Sequence, residues 1–285
     1  MKVCSEISEV RELVAQARRD GHRVGCVPTM GALHEGHLSL VAESRHRTGF
    51  TVLTIFVNPT QFAPTEDLQK YPRPIEADLA ACQSAGVDCV YMPQVSALYP
   101  TGFDTWVNAD ALSTILEGEF RPGHFQGVTT IVAKLFNIVQ PDVACFGSKD
   151  FQQQTIIRQM VRDLNFPVEV VVCPTIRDPD GLAMSSRNVY LSPDERNTAL
   201  ALSRSLRNVE ALLQSGEQRI DVAEQSLQAE LNATPGVQLQ YAVIRDPVTL
   251  QPITTAQPEM VALIAAFVGK TRLIDHLTIR LSTKA

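Results

Sequence analysis

The stretch Val24-Gly25-Cys26-Val27-Pro28-Thr29-Met30-Gly31-Ala32-Leu33-His34-Glu35-Gly36-His37 decides the fold. Val24 to Val27 reads as a short buried strand, Pro28 and Gly31 break it, and a helical pattern begins near Gly36. A strand that runs through a turn directly into a helix is a βα junction, the repeating unit of a parallel sheet. At such a junction the first N–H groups of the helix lack intrahelical partners and its dipole end is positive, so an anion is favoured. His34 and His37 stand three residues apart, the spacing of neighbours on one helical face, so both rings can meet one ligand. A zinc-protease helix needs its histidines four apart with a glutamate after the first, whereas here the spacing is three with a glycine between. His22, His46, His124 and His276 show no metal-ligand spacing to the pair, so phosphate is the better reading.

The same grammar extends in both directions. Strand-like runs at Val24 to Val27, Thr51 to Val57, Cys89 to Met92, Val143 to Phe146 and Val168 to Cys173 alternate with segments of helical period. Those segments are Val10 to Arg19, Leu38 to Arg47, Ile75 to Ala85, Val128 to Val139 and Phe151 to Leu164. The expected architecture is α/β, a Rossmann-like parallel sheet with helices on both faces, whose ligands bind beyond the carboxyl ends of the strands. After Cys173 the character changes. A polar stretch from Pro174 to Asn188 precedes long helical patterns at Pro193 to Leu213 and Asp221 to Leu231, then strand candidates at Val237 to Ile244, Met260 to Val268 and Leu273 to Leu281. Residues 1–174 are therefore expected to form the larger, ligand-binding domain, and residues 175–285 a smaller C-terminal α+β lid domain.

Composition narrows the function. With 285 residues, 45% of them hydrophobic, the chain can bury a substantial core, and its formal charge of −6 argues against a surface that coats nucleic acid. No run of about twenty apolar residues is present and the first residues lack a signal-peptide core, so neither membrane nor secretion is expected and the cytoplasm is the expected compartment. Six cysteines, Cys4, Cys26, Cys82, Cys89, Cys145 and Cys173, are scattered without a CxxC pair and read as buried reduced thiols.

Three further constellations carry chemistry. Asn58-Pro59-Thr60-Gln61-Phe62, after the strand Thr51 to Val57, offers two amides, each both donor and acceptor, which suits a hydroxylated organic acid better than bare phosphate. The same residues also read as an Asn-Pro turn with a solvent-facing glutamine. Gly147-Ser148-Lys149-Asp150-Phe151-Gln152-Gln153 combines a glycine that permits close approach, a mobile cation and a helix starting near Asp150. Asp150 either caps that helix or binds a ligand hydroxyl, with Gln153 three residues on along one face; the plain alternative is a capped helix start with a solvated lysine. The third, Asp180 to Asn188, reads as a flexible polar loop in which Ser185, Ser186 and Arg187 form a phosphate clamp. Cations for phosphates and amides for an acid, with no acidic cluster for a resident metal, point to carboxylate attack on the α-phosphate of ATP. The product would be an acyl-adenylate and pyrophosphate, with magnesium carried by the nucleotide.

On these motifs, joined by Arg121-Pro122-Gly123-His124-Phe125 and Arg272-Leu273-Ile274-Asp275, the chain resembles the pantothenate synthetase, or pantoate–β-alanine ligase, family along nearly its whole length. That family belongs to the HxGH nucleotidyltransferase superfamily. The resemblance implies a homodimer that uses ATP to condense (R)-pantoate with β-alanine through pantoyl-adenylate, yielding pantothenate, AMP and diphosphate. It implies that Met30, Gly31, Ala32, Leu33, His34, Glu35, Gly36 and His37 line ATP, together with Gly147, Ser148, Lys149, Asp150, Ile176, Met184, Ser185, Ser186 and Arg187. Gln61, Gln153 and Asn58 are implied for pantoate and Gln61 also for β-alanine, with His37, His34, Lys149 and Arg187 as the catalytic set. His37 is the family's assigned proton donor, but an ionised carboxylate needs no proton removed, so hydrogen bonding or charge at the phosphates is the expected role. Three departures stand out, one being Ser148, which stands where relatives often carry a longer polar residue. Ala183 and Ser186 replace the lysines of the synthetase-type loop, which shifts phosphate charge onto Arg187 and Lys149, and His276 occupies a position where relatives commonly carry asparagine. A different HxGH adenylyltransferase would need more cations at its acceptor site, and a catalytically silent nucleotide-binding module would lack one of His34, His37, Lys149 or Arg187.

Overall fold

The computed structural model describes residues 1–64 and 66–281. The chain divides into two compact units, Met1–Ser148 with Gln152–Pro174, and Lys149–Phe151 with Thr175–Ala285. The segment Lys149–Phe151, which the sequence places in the larger domain, belongs by its contacts to the second unit.

The first unit is a six-stranded sheet, β1 (Lys2–Cys4), β2 (Val24–Thr29), β3 (Phe50–Ile55), β4 (Cys89–Tyr91), β5 (Val143–Gly147) and β6 (Glu169–Cys173), in the order β1-β4-β3-β2-β5-β6 with every pairing parallel. The connecting helices are α1 (Ile7–Arg19), α2 (Glu35–Arg47), α3 (Ile75–Ala85), the single turns α4 (Val95–Leu98), α5 (Asp110–Ser113) and α6 (Glu117–Phe120), then α7 (His124–Val139) and α8 (Phe151–Asp163). Side chains alternate across each strand, so the two faces feed separate cores. Val24, Cys26 and Val52 pack with Val10, Val14 and the α7 residues Val128, Val132 and Phe136 on one face. Val27, Leu53 and Ile55 pack with Leu40, Val41 and Cys82 on the other. The sheet is thus covered on both sides, as a parallel sheet requires. From β2 the chain winds outward through β3 and β4 on one side and resumes on the other with β5 and β6. The switch point therefore falls at the carboxyl ends of β2 and β5, where ligands of such sheets bind. The sequence reading missed β1, which is three residues long with Val3 exposed, and the three single-turn helices; α7 begins four residues before its expected start, behind Gly123 in the left-handed region (φ 82°).

In the second unit α9 (Pro193–Gln214) opens with a capping box, Ser192 Oγ accepting from the Glu195 N–H and the Glu195 carboxylate accepting from the Ser192 N–H, with Pro193 in the first turn. With α10 (Ile220–Asn232) it covers an antiparallel sheet ordered β7-β8-β9, formed by Val237–Arg245, Glu259–Val268 and Thr271–Arg280. Leu202, Leu206, Leu213, Leu227, Ile244, Ile264 and Ile279 form its core. All six cysteines are unpaired and buried. Among the described residues no helix is long and apolar enough to cross a membrane.

Candidate active site

The β2 end is built almost wholly from local bonds. Gly31 and Ala32 both take left-handed backbone (φ 81° and 51°), a tight reversal that costs Ala32 steric strain. Asp78 of α3, 2% exposed, compensates: its two carboxylate oxygens accept the N–H groups of Ala32 and Leu33, each at 2.8 Å. Helix α2 begins at Glu35, with His34 as an extended cap residue, so the two histidines meet as cap and third helical residue and not along one helical face. They cap reciprocally. His34 Nδ1 accepts from the Gly36 N–H at 3.1 Å, and His37 Nδ1 accepts from the His34 N–H at 3.3 Å. The rings lie 4.1 Å apart. An accepting Nδ1 carries no proton, so in the neutral form each ring holds its proton on Nε2 and donates from that edge. A β-carbon on Gly36 would stand 2.8 Å from His34 Cε1, which explains the glycine between the histidines. Of the first helical amides that the sequence suggests as anion receivers, that of Gly36 is therefore already engaged by the His34 ring.

The β3 end is assembled from distant pieces. Asn58, 1% exposed, caps the one-turn 3-10 helix Pro59–Gln61. Its Nδ2 donates to Gln61 Oε1 and to the Gly127 carbonyl, both at 3.1 Å, while Oδ1 accepts from the Tyr99 hydroxyl at 3.0 Å and from Thr60 Oγ1 at 3.0 Å. Every polar atom of this amide is engaged internally, so the expectation that Asn58 itself meets an acid gives way to a role in holding Gln61. Gln61 Nε2 donates to Met30 Sδ at 3.1 Å, which joins the β3 turn to the β2 turn. Helix α7 approaches so closely at Gly127 that a β-carbon there would lie 2.5 Å from the Thr60 carbonyl oxygen. His124 Nδ1 lies 2.8 Å from the Gln61 carbonyl oxygen and Arg121 pairs with Glu66. Burial, with Arg121 beside it, pushes the His124 imidazole down to about 4, so the ring is neutral at physiological pH. At the β5 end, Ser148 N–H donates to the Cys173 carbonyl at 2.8 Å. Of the three glutamines opening α8, Gln152 and Gln154 are buried, and Gln152 bonds the backbone of Leu112, Ile115 and Glu117; Gln153 is half-buried.

In the second unit Lys149 Nζ stands 3.9 Å from Asp150 Oδ1. The loop read as flexible is instead closed upon itself. Arg177 and Ala183 form an antiparallel bridge, Met184 N–H donates to the Ile176 carbonyl at 3.0 Å, and Arg196 pairs with Asp178 and Asp180. Ser185 Oγ accepts from the Arg187 N–H at 3.3 Å and caps the short helix Ser186–Tyr190. Beneath it, Arg177 grips buried Asp275 in two bonds of 2.7 and 2.8 Å. His276 is buried with its ring 5.2 Å from that of Phe151, its Nδ1 has no hydrogen-bond partner among the described residues, and burial pushes the imidazole down to about 4. Of the residues described here, Asp78, Glu66, Tyr99 and Gly127 escaped the sequence reading, and Arg121 and His124 were noticed only as a motif.

A family model for pantoate-beta-alanine ligase matches residues 2–278. The pantothenate synthetase of Moorella thermoacetica is 47% identical over 282 residues, covering 99% of this chain and 100% of the relative. That of Thermoanaerobacter sp. (strain X514) is 49% identical over 277 residues, covering 97% and 98%. Among solved structures, pantothenate synthetase from Thermus thermophilus superposes with a TM-score of 0.93 at 45% identity, over 97% of this chain and 99% of that one. Pantoate-beta-alanine ligase from Francisella tularensis, complexed with beta-gamma ATP and beta-alanine, gives 0.80 at 32% identity over 97% of each chain.

Proposed function

Because this chain belongs to the pantoate-beta-alanine ligase family, we propose that the adjoining turns after β2 and β3 carry its ATP-dependent joining of pantoate to β-alanine. The observation that carries the assignment is the bond from Gln61 Nε2 to Met30 Sδ, which couples the turn assigned to the nucleotide to the amide assigned to the acid. An acid held at Gln61 and Gln153 is thereby presented to a nucleotide held along Met30 to His37, and such positioning lowers the entropic part of the barrier.

In the first step a pantoate carboxylate oxygen attacks the α-phosphorus of ATP. The bond to the β-phosphate oxygen breaks, pyrophosphate departs with that electron pair, and pantoyl-adenylate forms. No proton is removed from the nucleophile. His34 and His37 donate from Nε2 to phosphate oxygens, and Lys149 and Arg187 bear the charge that grows on the leaving group, with magnesium arriving on the nucleotide. Gly147 to Asp150, Ile176 and Met184 to Ser186 complete the nucleotide contacts. In the second step the β-alanine amine, held beside Gln61, attacks the acyl carbon; AMP leaves and the amine gives up a proton to solvent. Asn58 acts through Gln61. The same reading makes the enzyme a cytoplasmic homodimer, which solution mass and cell fractionation test. Incubation with ATP, magnesium, pantoate and β-alanine is expected to yield AMP and pantothenate in equal amounts. Failure to release AMP in response to β-alanine would overturn the assignment.

A further inference from the structure

Gln61 lies on a turn three residues long, with neither strand nor extended helix to fix its height. Its side chain is held by Asn58 and Met30, but its backbone is tied to a separate chain of bonds whose directions can be read without ambiguity. The Gln61 carbonyl oxygen can only accept, so His124 Nδ1, 2.8 Å away, carries the proton. Neutral His124 therefore presents a bare Nε2, and this faces Arg121 Nη1 at 3.0 Å, a group that can only donate. The Arg121 fork is fixed from its other side by Glu66, whose carboxylate accepts from Nε at 2.6 Å and from Nη2 at 2.9 Å. Arg121 Nη2 also reaches the Gln61 carbonyl at 3.4 Å. Glu66, Arg121 and His124 thus leave the imidazole one tautomer and the Gln61 carbonyl one position. The arrangement lies in the first unit, and His124 and the Gly127 contact with Thr60 are one turn apart on α7.

We infer that Glu66, Arg121 and His124 form a positioning relay for acid binding, in which the carboxylate aligns the guanidinium, the guanidinium selects the Nδ1–H tautomer, and that N–H sets the Gln61 turn. The inference rests on the assignment of Gln61 to the acid substrate, so its test measures that assignment separately. KM for pantoate and KM for ATP are determined for the wild type and for Gln61→Ala, His124→Leu, His124→Asn and Glu66→Gln. The asparagine amide nitrogen occupies the place of Nδ1, so His124→Asn restores the donor without the ring. Loss of a buried hydrogen bond is expected to raise the pantoate KM about tenfold or more in His124→Leu, with ATP KM changed less than about twofold. His124→Asn is expected to stay within about threefold of wild type, and Glu66→Gln to fall between the two. An unchanged pantoate KM in Gln61→Ala defeats the assignment of Gln61 itself. A raised KM in Gln61→Ala with none in His124→Leu overturns the relay alone, and equal damage in the leucine and asparagine variants reduces His124 to packing. Should His124→Leu not fold, an unchanged pantoate KM in Glu66→Gln overturns the relay.

Discussion

The turns after β2 and β3 are neighbours joined by the hydrogen bond from Gln61 to Met30, yet they are held in opposite ways. After β2, the rings of His34 and His37 cap the helix they open, and Asp78, a remote anchor, grips backbone. After β3, the turn and its cap Asn58 depend on Tyr99, Arg121, His124 and Gly127, partners between 39 and 69 positions further along the chain. On the assignment proposed above, a phosphate site is encoded in a dozen consecutive residues, because helix starts supply donors and field. An acid site on a bare turn needs the rest of the domain to define it.

The largest effect tests the first turn's role. His37→Ala is expected to slow pyrophosphate release in a single turnover by roughly 10²- to 10³-fold, the cost of removing a donor aimed at developing charge. A normal first step would break the assignment and move His37 to the second step. Next comes the packing of α7 on the second turn. In Gly127→Val the added side chain meets the Thr60 carbonyl, and the pantoate KM is expected to rise by about tenfold or more while ATP KM holds. Equal rises for both substrates would show that the two turns move as one and erase the contrast. Asp78→Asn probes the first turn from its remote side. One of its two backbone donors then faces an amide N–H₂, with an expected loss of about 1–3 kcal/mol, read from the denaturant midpoint. Slower adenylation at unchanged pantoate KM is expected alongside.

The remaining effect is with pH. The His124 imidazole sits at about 4 in the folded chain against an ordinary 6.5, chiefly from burial, so the unfolded chain binds the proton more readily. Stability is therefore lost as pH falls below about 6.5, by ~2 kcal/mol at pH 5, and the loss levels off near pH 4. Glu66 joins in only once pH falls toward its ordinary value of 4.5. Burial alone would raise its carboxyl, but the hydrogen bonds and charge of Arg121 hold it below the ordinary range, so its contribution persists until more acidic pH. Arg121, Glu117 and Glu66 are the charged groups that act on the ring. His276 contributes with the same sign in the second unit, so the difference between wild type and His124→Asn isolates the first. A pH 7 to 5 stability loss identical in both proteins would remove His124 as the origin.

The contrast also explains what could be read from the chain. Strands β2 to β6 and the long helices announce themselves by apolar runs and helical period, and Pro28, Gly31 and the histidine pair mark their junction unaided. Strand β1 is too short and too exposed to leave such a trace. Asn58 was visible as an amide at a strand end, but nothing in its neighbourhood says that Tyr99 and Gly127 engage its polar atoms. Bonds from side chains to distant carbonyls impose no period, so Asp78 and the use of His124 were invisible. The Asp180 to Asn188 segment read as flexible because polar composition does not reveal the Arg177 bridge or the Arg196 pairs that close it.

The three residues Lys149–Phe151 leave the second unit's membership in two pieces of chain. The polypeptide passes from one unit to the other after Ser148, after Phe151 and again after Pro174, so no single cut yields two whole parts. A fragment ending at Pro174 would keep Phe151 but lose His276, the ring it lies against. Recombination that exchanges the C-terminal region as a cassette must therefore carry the 149–151 tripeptide with it, or the imported half arrives without one of its own pieces.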